Sequence, residues 1–309
     1  MIKHNLALIL SLTCSIAFSQ DNLRTIDVDW KKGDSRSIAH KGTTTIYIED
    51  TIFQSTEVNT IYTIEVLAAN KGYILKYTSK SYDIDVNKSD SLVKDIVTEM
   101  MTLIAEQMED FEYKLIFDPE QGIITEMINE DKFFKLFQTL MKKFGEESEL
   151  IPDDKRETFN KYMTERLPNM KDQYIQTVIN GANLLIQGYS YAFIPDDMYT
   201  TESIYYEVDA MTHGNIELPS MMTIGSTLSD ETISVNTSMD VDKLSMIEFL
   251  QESGKGQDLS VSNFEMIIES NYDFSASTTW MQKYESFTSI DISNTVKVVM
   301  KEEAIFTEN

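Results

Sequence analysis

Hydrophobic positions along this chain change their spacing twice, and the changes divide it into three stretches. From Arg24 to about Tyr82 the runs Ile46-Tyr47-Ile48, Tyr62-Thr63-Ile64-Glu65-Val66 and Tyr73-Ile74-Leu75-Lys76-Tyr77 are β-branched and aromatic and are bounded by turn signals such as Asn70-Lys71-Gly72. That chemistry fits a pleated, half-buried surface and predicts strands. Leu92, Val93, Ile96, Val97, Met100, Met101, Ile104 and Met108 then recur every three to four positions behind Ser89 or Asp90. This is the spacing of one helix face behind a capping residue. A hairpin follows: Phe111–Phe117 and Ile123–Ile128 flank Asp118-Pro119-Glu120-Gln121-Gly122. Here proline presets φ and glycine accepts the left-handed position.

Residues 129–187 read as helical. Asp131–Phe144 places Phe133, Phe134, Phe137, Leu140, Met141 and Phe144 on one side before Gly145. Pro152-Asp153-Asp154 opens a second helix to about Leu167, and Asn169–Gln187 forms a third that Gly188 stops, although Asn180-Gly181 also resembles a hairpin turn. Strands return from Gly188, through Ile204–Val208 and Thr232–Val235. After a short helix at Asp240–Gln251 and the loop Ser253–Gly256, Phe264–Ile268 and Thr295–Met300 complete the pattern. Asp83-Ile84-Asp85 before a helix and a hairpin is echoed by Asp240-Val241-Asp242 before a helix and a strand pair. Ile46-Tyr47-Ile48-Glu49 is echoed by Ile204-Tyr205-Tyr206-Glu207. Chance likeness of strand–helix–hairpin units and a true internal duplication both account for the echoes. The expected fold class is α+β: a large antiparallel curved sheet from two β–helix–β halves (24–128 and 188–309), with the helical segment 129–187 between them.

The chain starts with a short basic segment (Lys3, His4), an apolar run from Leu6 to Ile16, and Ala17-Phe18-Ser19. These are the parts of a secretory signal over residues 1–19, and the run is shorter than the roughly 20 residues a bilayer span needs. The expected mature protein is a single exported domain, 20–309, in the periplasm, at the outer-membrane surface or outside the cell. Cys14 is the one cysteine. Its removal with the signal leaves no disulfide, thiolate metal site or cysteine nucleophile.

With 51 acidic and 26 basic residues, the formal charge is −25, which argues against nucleic acid as a partner. Hydrophobic residues make up 42%, against only 11 glycines and 5 prolines, which argues against disorder. Three histidines and the absence of a Gly-x-Ser-x-Gly elbow leave little for a hydrolytic triad. Asp83-Ile84-Asp85-Val86-Asn87 starts like a calcium loop, but Lys88 and Lys94 stand where glycine and glutamate are required. The pairs Asp27/Asp29, Asp83/Asp85 and Asp240/Asp242 read as solvated strand positions or helix caps. No metal and no cofactor are expected. The adaptable Met and Phe side chains read either as core packing or as the lining of an apolar cavity, with Met100, Met101, Met108, Phe133, Phe137 and Trp280 as candidates. Tyr189, Tyr191, Tyr199, Tyr205 and Tyr206 read as cross-strand pairs or as an exposed aromatic face for a partner or glycan.

The signal, the strand pattern, the helices and the hairpin from Phe117-Asp118-Pro119 to Gly122 together resemble exported bacterial envelope proteins with a lipoprotein-carrier-like half-barrel. The resemblance implies a curved sheet. The expected function is non-enzymatic binding of an apolar small molecule or lipid between sheet and helices, by a monomer with no transmembrane span. The alternatives are a cell-envelope protein-interaction module and a hydrolase using a carboxylate pair. The charge alone generates a prediction: raising salt from about 20 mM to about 500 mM should raise the melting temperature by screening self-repulsion. An unchanged melting temperature would show that the acidic residues are already locally paired.

Overall fold

The computed structural model describes residues 22–69, 72–88, 99, 102–103, 111–208, 215–252, 264–292 and 296–309. The signal segment with Cys14, the candidates Met100, Met101 and Met108, the loop Ser253–Gly256, Thr295 and His213 lie outside them. Between Lys88 and Phe111, residues 99 and 102–103 are helical.

Eleven strands make one antiparallel sheet. In chain order they are β1 (Ser35–Ile48), β2 (Thr51–Ala69), β3 (Tyr73–Lys88), β4 (Glu112–Asp118), β5 (Ile123–Met127), β6 (Met198–Val208), β7 (Asn215–Leu228), β8 (Thr232–Val241), β9 (Phe264–Ser275), β10 (Met281–Ile292) and β11 (Val296–Glu308). Their order across the sheet is β5-β4-β3-β2-β1-β11-β10-β9-β8-β7-β6. The two halves therefore lie side by side in one sheet, as a five-strand run from β5 to β1 and a six-strand run from β11 to β6, each descending in chain order. The central seam pairs β1 with β11, from Arg36 opposite Glu308 to Ile48 opposite Val296.

Helices α1 (Glu130–Glu147), α2 (Asp153–Arg166) and α3 (Lys171–Leu184) separate β5 from β6, and α4 (Lys243–Glu252) follows β8. α1 continues past Gly145, where the sequence predicts its end. A Cβ on Gly145 would lie 2.0 Å from Asn160 Oδ1 and 3.1 Å from the Phe159 ring, so glycine is there for close packing of α2. Arg156 then caps α1, donating to the carbonyls of Gly145, Glu146, Ser148 and Ile151. A cation there suits the negative end of the helix dipole. Asn180-Gly181 lies inside α3 as ordinary helix, and a 3-10 turn at Leu167–Met170 precedes it.

Two asparagines complete the β5 edge. Asn183 Oδ1 accepts from the Ile124 amide at 2.6 Å and its Nδ2 donates to the Ile124 carbonyl at 3.0 Å. Asn129 does the same for β4 beyond the end of β5, accepting from Lys114 N at 2.8 Å and donating to Glu112 O at 2.6 Å. Each side-chain amide replaces a missing strand residue, satisfying backbone groups that an edge leaves unpaired.

The chain then crosses one face of the sheet from the β5 edge to the β6 edge. Leu185, Ile186, Tyr189 and Phe193 of this strap are buried. Phe193 and Arg24 exchange backbone hydrogen bonds of 2.8 and 2.9 Å, which joins the strap to the N-terminal segment carrying buried Ile26 and Trp30. Tyr189 Oη donates to the Thr279 carbonyl at 3.0 Å and accepts from the Met281 amide at 2.8 Å. Its ring lies 5.9 Å from Phe117 of β4 and 4.9 Å from Phe274 of β9. Those strands are six intervals apart, about 29 Å across a flat sheet. One ring touches both only because the sheet is rolled around the strap at this end.

The aromatic cluster inside the roll is built on Trp30, which stacks on Trp280 at 4.2 Å and on Phe117 at 5.1 Å. Arg36 covers the other side of Trp280 at 4.8 Å. Gly122, at φ 68°, permits the approach: a Cβ there would lie 2.3 Å from the Tyr189 backbone. Removing the buried hydroxyl with Tyr189→Phe leaves the Thr279 carbonyl and the Met281 amide without it. Urea denaturation should show a loss of about 1–3 kcal/mol, with the far-UV spectrum unchanged. A loss near zero would mean that the strap is held by packing alone.

Candidate functional site

Strand register sorts the side chains of the covered face into rows. Nearest the strap, Ile38, Phe306, Tyr284, Tyr272 and Val235 are buried with the aromatic cluster. At the far end, Leu218, Val241, Met246, Ile247, Phe264 and Met266 form a second buried cluster under α4. α4 starts at a side-chain cap, since Asp242 Oδ2 accepts from the Ser245 amide and hydroxyl. These bonds hold the Asp242 carboxyl below its ordinary range. This pair position is therefore a helix cap, while Asp83 and Asp85 are exposed on β3.

Between the clusters runs a polar belt. His40 lies opposite Thr60 on β2 and Ala304 on β11, and Glu302, Ser286, Ser270 and Thr237 share the adjoining row. Tyr284 donates to Glu302 Oε2 at 3.1 Å. Tyr284 stacks on Tyr272 at 5.3 Å, and Tyr272 approaches Tyr191 of the strap at 5.6 Å. Burial raises all three phenols, Tyr272 to about 12, so each is a neutral hydrogen-bonding group at physiological pH. Burial also lowers His40, partly offset by the Glu302 charge.

Beyond the belt the covered face turns apolar again without becoming fully buried. Met300, Ile268 and Met239 in one row, and Ile46, Val298 and Ile290 in the next, are half-buried. They come from β1, β11, β10, β9 and β8, whose register turns isolated β-branched and Met positions into one band. The arrangement is an apolar wall with hydroxyls, an imidazole and a carboxylate along one border. Polar groups fix orientation in such a site, while apolar area supplies binding free energy.

The sequence candidates fall elsewhere. Phe133 packs into the main cluster, with ring contacts to Phe111 at 6.1 Å and Phe137 at 6.2 Å. Phe137 lies 4.4 Å from Tyr174 between α1 and α3. Trp280 is sealed in the aromatic cluster. The band is assembled by register: the β8–β9, β9–β10 and β10–β11 pairings bring Met239, Ile268, Ile290, Val298 and Met300 together, and the β1–β11 seam adds Ile46. Its alternation within β9 and β11 was the available signal. Of the tyrosine run, Tyr189 and Tyr191 belong to the strap. Tyr199 of β6 donates to Ala192 O at 2.6 Å, which also ties the strap down.

No family model matches this chain, and no curated protein matches it. Among solved structures it is similar over 90% of its length to the lipovitellin chain of "Lipid-protein interactions in lipovitellin", with a TM-score of 0.43 and 9% identity. The match spans 25% of that chain. The resemblance to lipoprotein-carrier-like envelope proteins gains no support from a matching family. No described helix is long and apolar enough to cross a membrane.

The belt has a pH signature. Because burial disfavours the imidazolium, the folded protein takes up its His40 proton at lower pH than the unfolded chain, whose value is near 6.5. Stability attributable to His40 is therefore complete above that value and falls as pH drops through the window below it. His40→Gln should remove this part of the acid sensitivity in melting curves between about pH 7 and pH 5. Identical wild-type and variant profiles would show that His40 has the same proton affinity folded and unfolded.

Proposed function

We propose that the protein is an exported, non-enzymatic binding protein that holds an apolar or amphipathic molecule against the covered face of its rolled sheet. The apolar chain would lie along Ile46, Val298, Met300, Ile290 and Ile268, and its polar end would meet the belt of His40, Glu302, Ser286 and Ser270. The observation that carries this reading is the half-buried band, sandwiched between two fully buried clusters on the same face. Export rests on the signal-like residues 1–19. The non-enzymatic part rests on the sequence, which carries no Gly-x-Ser-x-Gly elbow.

A specific observation favours one second reading. Ile48, Ile52 and Phe53 are 39%, 59% and 40% exposed at the tip of the β1–β2 hairpin, which is what an interaction module would present.

One experiment addresses both readings. Folded protein should carry solvent-extractable lipid, or enhance the fluorescence of bis-ANS. Ile268→Glu should weaken that signal by roughly tenfold by placing a charge on the apolar wall. Ile52→Ser should leave it unchanged. A lipid-free protein that is silent with the dye would overturn the proposal. Loss of signal on Ile52→Ser alone would favour the hairpin reading.

A further inference from the structure

The opposite face of the sheet carries a second feature that the apolar site does not use. A twisted sheet that is rolled across its strands has the shape of a hyperboloid, which is narrowest at a waist. On the outside that waist is a trough of about 970 Å³ lined by residues of β1, β11, β10, β9, β8, β7 and β6, where the belt positions Thr237, Ser270, Ser286 and Glu302 also border it between the outward-facing rows. Six strand intervals give it a contour of about 29 Å, so it suits a chain molecule that follows the curve across the strands.

The lining identifies the chemistry. Asn236 and Asn271 face each other in register on β8 and β9, and Ser238 faces Glu269 one pair further on. Thr43 and Phe287 continue the second row onto β1 and β10. Among the described residues, the side chains of Asn236, Asn271, Ser238, Thr43 and Glu269 have no hydrogen-bond partner.

The charged groups around them, by contrast, are mostly matched. Lys41 pairs with Glu57 at 2.9 Å, and Lys283 pairs with Glu285 at 2.8 Å and Glu303 at 3.8 Å. At the β6 end, Asp196 accepts from Leu228 N and Asp197 from Met198 N, both at 2.8 Å. What the trough offers a ligand is therefore a set of neutral amides and hydroxyls, the Glu269 carboxylate, the Lys301 ammonium between Thr43 and Phe287, and a half-exposed phenyl ring that this ammonium overlies at 6.0 Å.

We propose that this trough binds a linear neutral carbohydrate. Each asparagine amide both donates and accepts, which matches neighbouring sugar hydroxyls. The Glu269 carboxylate accepts from two more, and the Phe287 ring gives the apolar face of a pyranose a surface to leave water on. The net charge of −25 disfavours polyanions. A basic peptide is the rival ligand, and the matching of Glu285 and Glu303 by Lys283 removes much of what would attract it.

The test is calorimetric titration of the folded, full-length chain with cellohexaose, maltohexaose, xylohexaose and chitohexaose, with hexalysine alongside. At least one hexasaccharide should bind. Asn271→Ala and Phe287→Ala should each weaken it by about tenfold, with melting temperature and bis-ANS signal unchanged. Both side chains are partly exposed, so neither change empties the core. The proposal is overturned if no hexasaccharide binds at about millimolar concentration, if both variants bind as the wild type does, or if hexalysine binds in their place.

Discussion

The tie made by Tyr189 is the constraint on which the architecture depends. An eleven-stranded twisted sheet has a large apolar face and no intrinsic reason to stop curling or splaying. In this chain one phenol ring reaches Phe117 on one flank and Phe274 on the other, while its hydroxyl bonds both sides of Trp280. The roll radius is thus set by the width of a side chain. Everything else on the covered face is placed by that radius: the buried aromatic cluster, the polar belt behind the waist and the apolar band beyond it. Gly188 shows how tight the passage is, since a Cβ there would lie 2.6 Å from the Tyr272 ring.

The belt shows how polar groups are accommodated inside such a roll. Buried hydroxyls, an imidazole and a carboxylate are costly unless they satisfy one another. Tyr284 donates to Glu302, and Glu302 in turn moderates the burial penalty on His40. Because the phenols stay neutral, the belt can orient a ligand's polar end without fixing its charge. In the apolar rows beside it Met239, Ile268 and Ile290 pack on the second cluster and still stay half-buried, which is why the candidate site lies there.

Local chemistry was legible in the sequence, and long-range pairing was not. The hairpin turn follows its local chemistry: Asp118 accepts from the amides of Glu120 and Gln121, and Gly122 takes a positive φ. Strand and helix stretches were likewise readable, because residues within a few positions of one another decide them. Gly145 misled, because its small size serves a contact with α2, which spacing does not reveal. The asparagines at 129 and 183 looked like loop or helix residues, and only the placement of α3 against β5 gives them their role. The softness and size of the Met and Phe side chains are as typical of a core as of a cavity wall. The apolar band and the outer trough are made by register from β6 to β11 and completed by β1 across the seam; alternation within a strand gives the face of each residue, but not which residues stand beside it.

That seam also constrains how the molecule can assemble. Its thirteen registered pairs join residues as far apart as Arg36 and Glu308. Loop closure on that scale makes it a late event in folding, after hairpins that need only their neighbours. During synthesis β1 emerges well before β11, its partner on this side, with the other nine strands between them. Until then its thirteen-residue flank is an open, adhesive strand edge in the middle of the future sheet. The order of manufacture therefore leaves the nascent chain exposed longest at the line where its two halves meet.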